Sequence, residues 1–156
     1  MKALQRIEVF LPDEAATLAL GAKIGALLRP GMYLALQGDL GSGKTTLARG
    51  MLRALGYDGR VKSPTYALVE LYKLSRLDFY HFDFYRFADP HEVVDSGLRE
   101  AFNDRAVCVV EWPERAAGFV PSPDLTVALS VRGQGREAVL MAASETGRKC
   151  LQQLTG

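Results

Sequence analysis

At 156 residues the chain is long enough for one domain with a real core and short for two. Its apolar share of 48% and charged share of 24% are those of an ordinary soluble globular protein. With 19 basic and 18 acidic side chains the formal charge is +1, which gives no reason to expect unspecific attraction to nucleic acid or membranes, although a local basic patch stays open.

No long apolar stretch follows Met1–Arg6, so no secretory signal is expected, and the longest apolar runs stop well short of the roughly 20 residues of a membrane span. Arg6 to Leu11 alternates polar and apolar residues before Pro12 and predicts a short strand. Asp13 can cap a helix reaching about Leu28, where Arg29-Pro30-Gly31 closes it. Leu18, Leu20, Ile24, Leu27, Leu28 and several alanines cover much of that helix, so burial against both a sheet and a further element is expected. Met32 to Leu36 is a short apolar run that reads as a buried strand. A second helix follows, with Leu47, Met51, Leu52 and Leu55 at helical spacing and Gly56 as its stop. Tyr57 to Pro64 is a polar loop.

Tyr66 to Leu74 and Leu77 to Tyr85 read as an antiparallel pair turning at Ser75-Arg76. Asp89-Pro90 opens a predicted helix through about Phe102, weakened a little by Gly97. Ala106 to Val110 is the strongest candidate for an interior strand, and within it Cys108 reads as a small buried hydrophobe, not half of a disulfide with the distant Cys150. A reducing compartment follows as the expectation. Leu125 to Val131 and Glu137 to Ala142 flank Gly133-Gln134-Gly135 as a hairpin, and a helix from about Glu145 to Leu154 completes the chain. The elements assemble as a single α/β domain over 1–156: a P-loop NTPase-like fold with a largely parallel central sheet, antiparallel additions and flanking helices.

The chemistry concentrates in Gly38-Asp39-Leu40-Gly41-Ser42-Gly43-Lys44-Thr45, a full match to G-x-x-x-x-G-K-T. Glycines let the backbone curl until successive N–H groups point at a phosphate, Lys44 brings a positive charge to the β/γ oxygens, and the Thr45 hydroxyl can ligate Mg²⁺. The helix behind the loop aims its N-terminus at the same anion. An apolar strand before the loop and an amphipathic helix after it supply the context that separates this motif from a chance glycine turn. Thr46 either touches the α-phosphate or caps backbone.

Such a loop works with a carboxylate at the end of a neighbouring strand, and two candidates stand out. Glu111 follows the apolar run Val107 to Val110. Asp83 lies in Leu77 to Tyr85, where period two puts it on one face with Phe79, His81 and Tyr85. A functional role is the favoured reading for each acid, the alternative being a strand-end residue that faces solvent or pairs with an arginine such as Arg86. His81 reads as a packed or hydrogen-bonding residue, since no Cys/His cluster has zinc spacing. Trp112 is either core or an apolar wall beside the nucleotide. Ser63-Pro64-Thr65-Tyr66 occupies the place of a switch-like segment, Thr65 reaching metal or water, or simply starts a strand.

Four motifs in order, Gly38 to Thr46, Ser63 to Tyr66, His81-Phe82-Asp83-Phe84-Tyr85-Arg86 and Glu111-Trp112-Pro113-Glu114, resemble the bacterial TsaE family, the ATPase component of the machinery that makes threonylcarbamoyladenosine in tRNA. The likeness runs from about Ala15 through Glu114. It implies a cytoplasmic protein that binds ATP with Mg²⁺ and hydrolyses it slowly. It also implies work with the TsaB–TsaD pair, which modifies adenosine 37 of tRNAs decoding codons that begin with A, so that tRNA is met through the complex. By the same resemblance Lys44 and Thr45 take the phosphate and magnesium roles, Asp83 binds metal, Glu111 serves hydrolysis and metal, and Thr65 falls in the switch-like motif. Two other readings remain at this level. A small-molecule or nucleotide kinase would need an arginine-bearing lid, which Arg115, Arg132 and Arg136 do not obviously form. An ATP-dependent docking switch would need no turnover. A guanine-binding N/T-K-x-D signature is missing from the sequence.

Overall fold

The computed structural model describes residues 5–39, 41–64 and 68–155. In chain order the elements are β1 (Arg6–Leu11), α1 (Glu14–Leu27), β2 (Tyr33–Gln37), α2 (Lys44–Ala54), β3 (Val69–Lys73), β4 (Asp78–Asp83), α3 (Glu92–Asp95), β5 (Ala106–Glu111), β6 (Leu125–Arg132), β7 (Gly135–Ala142) and α4 (Glu145–Thr155). Seven strands form one sheet in the order β1-β7-β6-β2-β5-β4-β3. The middle four, β6-β2-β5-β4, run parallel, and antiparallel pairings add β3 at one edge and β7 and β1 at the other. Parallel strands are characteristically covered on both faces, and β5, the apolar run Ala106 to Val110 with Glu111, is buried along its whole length.

The period of two divides each strand between two cores. Leu34 and Leu36 of β2, Val107 and Val109 of β5 and Phe79 of β4 join Leu20, Ile24, Leu47, Met51 and Leu52 of the first two helices in one core. Tyr33, Cys108, Val110 and Phe82 point the other way, against Phe84, Phe87, Val93 and Ala101. β6, β7 and β1 contribute nothing to this second core, so their outer face lacks a buried cluster among the described residues. Both cysteines are free and buried, and burial pushes the Cys108 thiol up to about 12.

α1 ends at Leu27, just before Arg29-Pro30-Gly31 as the sequence indicates, and Asp13 caps it by accepting the Ala16 N–H at 2.9 Å. Its buried stripe is narrower than its composition implies. Thr17, Leu20, Gly21, Ile24 and Gly25 are buried, whereas Ala15, Ala19 and Ala26 are exposed. The stripe includes two glycines because α1 and α2 meet backbone to backbone. A Cβ on Gly21 would stand 2.3 Å from the Leu47 carbonyl oxygen, and one on Gly50 would stand 2.4 Å from that of Leu18.

One predicted helix is not continuous. The segment 90–102 forms the single turn α3, then Gly97 at φ +76°, then a 3₁₀ turn over Leu98–Ala101. Gly97 therefore breaks the helix where weakening was expected, because the chain adopts the left-handed conformation there and re-aims its apolar residues at the second core. The strand expected from Tyr66 begins, within the described residues, at Val69; Thr65, Tyr66 and Ala67 lie outside them.

Candidate functional site

The parallel strands β2, β5 and β4 deliver their C-terminal ends to one side of the sheet, where ligands bind in open α/β folds. From β2 the chain enters the glycine loop and then α2, whose first residue is Lys44. Gly38 (φ +147°) passes so close to its surroundings that a Cβ would meet Ser42 Oγ at 2.5 Å and the Leu129 carbonyl at 2.6 Å, and Gly43 turns the chain into α2 at φ +106°. Ser42 is buried within the loop and its hydroxyl has no partner among the described residues. Leu40 lies outside the described residues.

Parity and register bring the two candidate acids together. Asp83 and Glu111 close β4 and β5, are paired in register, and point to the α1–α2 side, as do His81 and Val109 two residues earlier. Neighbouring strands stand about 4.8 Å apart, so the two carboxylates are forced close. Glu111 is almost fully buried, with Oε1 at 3.0 Å from Lys44 Nζ and Oε2 at 2.8 Å from His81 Nε2. The Lys44 ammonium also donates to the Gly38 carbonyl at 2.6 Å. Asp83 Oδ1 accepts the Tyr85 backbone N–H at 2.9 Å.

These surroundings treat the two acids differently. Burial pushes the Glu111 carboxyl up, but the hydrogen bond from His81, with the Lys44 ammonium behind it, brings it below its usual value. Asp83 ends above its usual value: burial raises it, the Tyr85 N–H lowers it, and the neighbouring Glu111 charge raises it again. Two carboxylates thus face a single ammonium. An arrangement of oxygen donors with surplus negative charge suits a hard divalent cation that also takes oxygens from phosphate. Among the described residues, no group of three or more His, Cys, Asp or Glu could hold a metal unaided.

A cleft of about 660 Å³ opens over the loop, lined by Asp39, Gly41, Gly43, Lys44, Thr45, Thr46, Ser63, Asp83, Glu111 and Trp112. All the sequence-selected residues within the described set therefore lie on or beneath one concave surface, apart from Gly38 and Ser42, which build the loop from behind. Thr65 has no described position. Trp112 stands at the rim, tilted against Tyr85 with ring centroids 5.0 Å apart, and Arg115 reaches over the same Tyr85 ring. Its backbone lies in the left-handed region (φ +60°), a strained conformation for a bulky residue and one that clusters at ligand sites.

The cleft has further walls that the motifs do not mark. Asp13, Glu14 and Thr17 line it from the start of α1, and Gln134, Gly135 and Arg136 from the terminal hairpin. Arg136 donates to the Gly41 carbonyl at 3.0 Å, bracing the loop from the far side. Tyr85 could have been found, since period two already puts it on the face of Asp83. Arg136 carries no such signal, because its position depends on β7 lying two strands from β2.

Comparison with known proteins bears on the family and the fold. The family model described as "Threonylcarbamoyl adenosine biosynthesis protein TsaE" matches residues 11–138. The tRNA threonylcarbamoyladenosine biosynthesis protein TsaE of Haemophilus influenzae is 39% identical over 153 residues, spanning 95% of this chain and 97% of its own. The protein of that name from Bacillus subtilis is 36% identical over 132 residues, spanning 85% and 81%. A crystal structure of YdiB from Bacillus subtilis superposes with a TM-score of 0.83 at 26% identity, covering 99% of this chain and 97% of that one. A match of this extent, in sequence and in fold alike, means that the chain belongs to the TsaE family of threonylcarbamoyladenosine biosynthesis proteins.

Proposed function

We propose that the protein binds ATP with Mg²⁺ in this cleft and hydrolyses it in support of threonylcarbamoyladenosine formation in tRNA. The observation that carries the reading is the meeting of Lys44, at the start of α2, with Glu111, which ends its strand in register with Asp83 on the adjacent parallel strand beside the glycine loop. Loop amides and the Lys44 ammonium take the β/γ oxygens, which requires Lys44 to leave Glu111. Thr45 and Asp83, with Glu111 beside them, would hold Mg²⁺, which when bound would offset charge developing on the phosphate oxygens. Water attacks the γ-phosphorus, the bond to the bridging ADP oxygen breaks, and Glu111 orients the water and accepts its proton. A carboxylate kept below its usual value remains charged at neutral pH and able to do this. Trp112, Tyr85 and Thr46 line the same cleft, which supports roles for the rings as a wall and for the Thr46 hydroxyl as a phosphate contact.

The TsaB–TsaD pair is the partner this reading names, with tRNA reached through that complex in the cytoplasm. No helix among the described residues is long and apolar enough to cross a membrane. The test is Glu111→Gln, measured for nucleotide affinity and phosphate release at matched enzyme and Mg²⁺. Affinity within a few-fold of the parent and turnover reduced about 100-fold or more is the expected result, in the range of a lost acid–base group. Unchanged turnover would remove the role of Glu111. Pull-down of TsaB–TsaD in ATP, ADP and a nonhydrolysable analogue then shows whether docking follows the nucleotide state.

A further inference from the structure

The two oxygens of Glu111 have partners of different kinds. Oε1 meets Lys44, an ammonium that also donates to the Gly38 carbonyl inside the loop. A phosphate entering the loop competes for that same ammonium, so the Oε1 contact is temporary by construction. Oε2 meets His81, which is fully buried in β4 and does not line the cleft. An entering nucleotide therefore has no direct route to this second contact.

The other ring nitrogen of His81 decides what the histidine offers. Nδ1 is buried and has no hydrogen-bond partner among the described residues. A buried N–H without an acceptor is expensive, whereas a lone pair left unpaired is the lesser penalty, and a carboxylate oxygen can only accept. Nε2 thus carries the proton and donates it toward Glu111. We propose that His81 is the fixed positioning residue of the site: it holds Oε2 of Glu111 while Lys44 exchanges Oε1 for phosphate, leaving Oε1 as the oxygen that faces the reacting water. This rests on the hydrolytic reading above and adds to it a division of labour between two oxygens of one side chain.

Three substitutions in the full chain separate positioning from bulk. His81→Gln can present an amide N–H near the Nε2 position, His81→Asn reaches only the Nδ1 position, and His81→Phe keeps ring volume without a donor. With cooperative unfolding verified for each, Phe and Asn are expected to lower kcat by roughly 10- to 100-fold with KM within about twofold, the scale of a misplaced catalytic group. Gln recovers most of the loss. Undiminished kcat in Phe, or equal losses in Gln and Asn, would overturn the assignment.

Imidazole ¹⁵N NMR of the unmutated protein supplies a readout independent of turnover and of mutant folding. The expected signature is the Nε2–H tautomer, with its proton protected from exchange both without nucleotide and with ADP. An Nδ1–H tautomer, or protection lost when ADP binds, would overturn the proposal. Failure of the hydrolytic reading looks different: the unmutated protein releases no phosphate, alone or with partners. In that case an Nε2–H signal protected in both states would still support the anchorage of Glu111.

Discussion

Asp83 and Glu111 end neighbouring strands, yet the fold shifts their proton affinities in opposite directions. Asp83 holds its proton more tightly folded than unfolded, so its charge works against the nucleotide-free fold at neutral pH, and that penalty fades as the pH falls through its raised value. Glu111 has a depressed value, so its contribution is complete above the ordinary 4.5 and is lost as the pH drops through the lower folded value. Asp83→Asn keeps an acceptor for the Tyr85 N–H and removes the charge. It is expected to raise the thermal midpoint of the nucleotide-free protein at pH 7, with the advantage shrinking as the pH approaches 3.8. The same variant should weaken Mg²⁺-dependent nucleotide binding about tenfold or more, as removal of a charged metal ligand would. A midpoint that falls at pH 7, seen by calorimetry, contradicts this account. On the proposed reading the aspartate serves its ligand at a cost to the nucleotide-free fold.

At the scale of elements, glycines decide two matters that periodicity cannot reach. Had 90–102 been one helix, Gly97→Ala would stabilise it by about 1 kcal/mol. In the observed break a side chain must enter the left-handed region, and nothing else crowds the site, so a loss of roughly 1–2 kcal/mol is expected in urea unfolding. The sign of that single measurement distinguishes the two structures. Gly50→Ala tests the other case. Its Cβ would press on the Leu18 backbone, which moves only if α1 and α2 part, and a cost of about 1–3 kcal/mol follows from overpacking. Strand positions, by contrast, were legible because β2 and β5 are short, apolar and bounded by turn residues. The phosphate loop was legible because its chemistry demands fixed residue types at fixed spacing. The helix break was not, since the composition of 90–102 says nothing of the sign of φ at residue 97. Nor was the His81–Glu111 contact, which needs β4 and β5 to be neighbours; residue spacing alone leaves the strand order open.

Taken whole, the molecule joins its site to its stability through the central strands. A ligand that binds only the folded form at 100 times its Kd adds about 2.7 kcal/mol to unfolding. Titrating Mg²⁺-ATP should raise the midpoint along that relation, and Lys44→Met, which removes the loop's charge, should flatten the response. A full response in Lys44→Met would place the nucleotide elsewhere. The sheet topology also bears on how the protein is made. β1 has one neighbour in the sheet, β7, and β2 lies between β5 and β6, so the earliest strands wait for the latest. Local contacts cannot carry assembly here, and pairing between distant segments is slow. During translation the first strand emerges with its partner unmade, its edge open to other chains. Arg136, two residues into β7, is what braces the phosphate loop, so a nascent chain that has already exposed Lys44 still lacks that brace. The loop and the arginine that braces it are thus 95 residues apart in synthesis, and the brace forms only after β7 has been made.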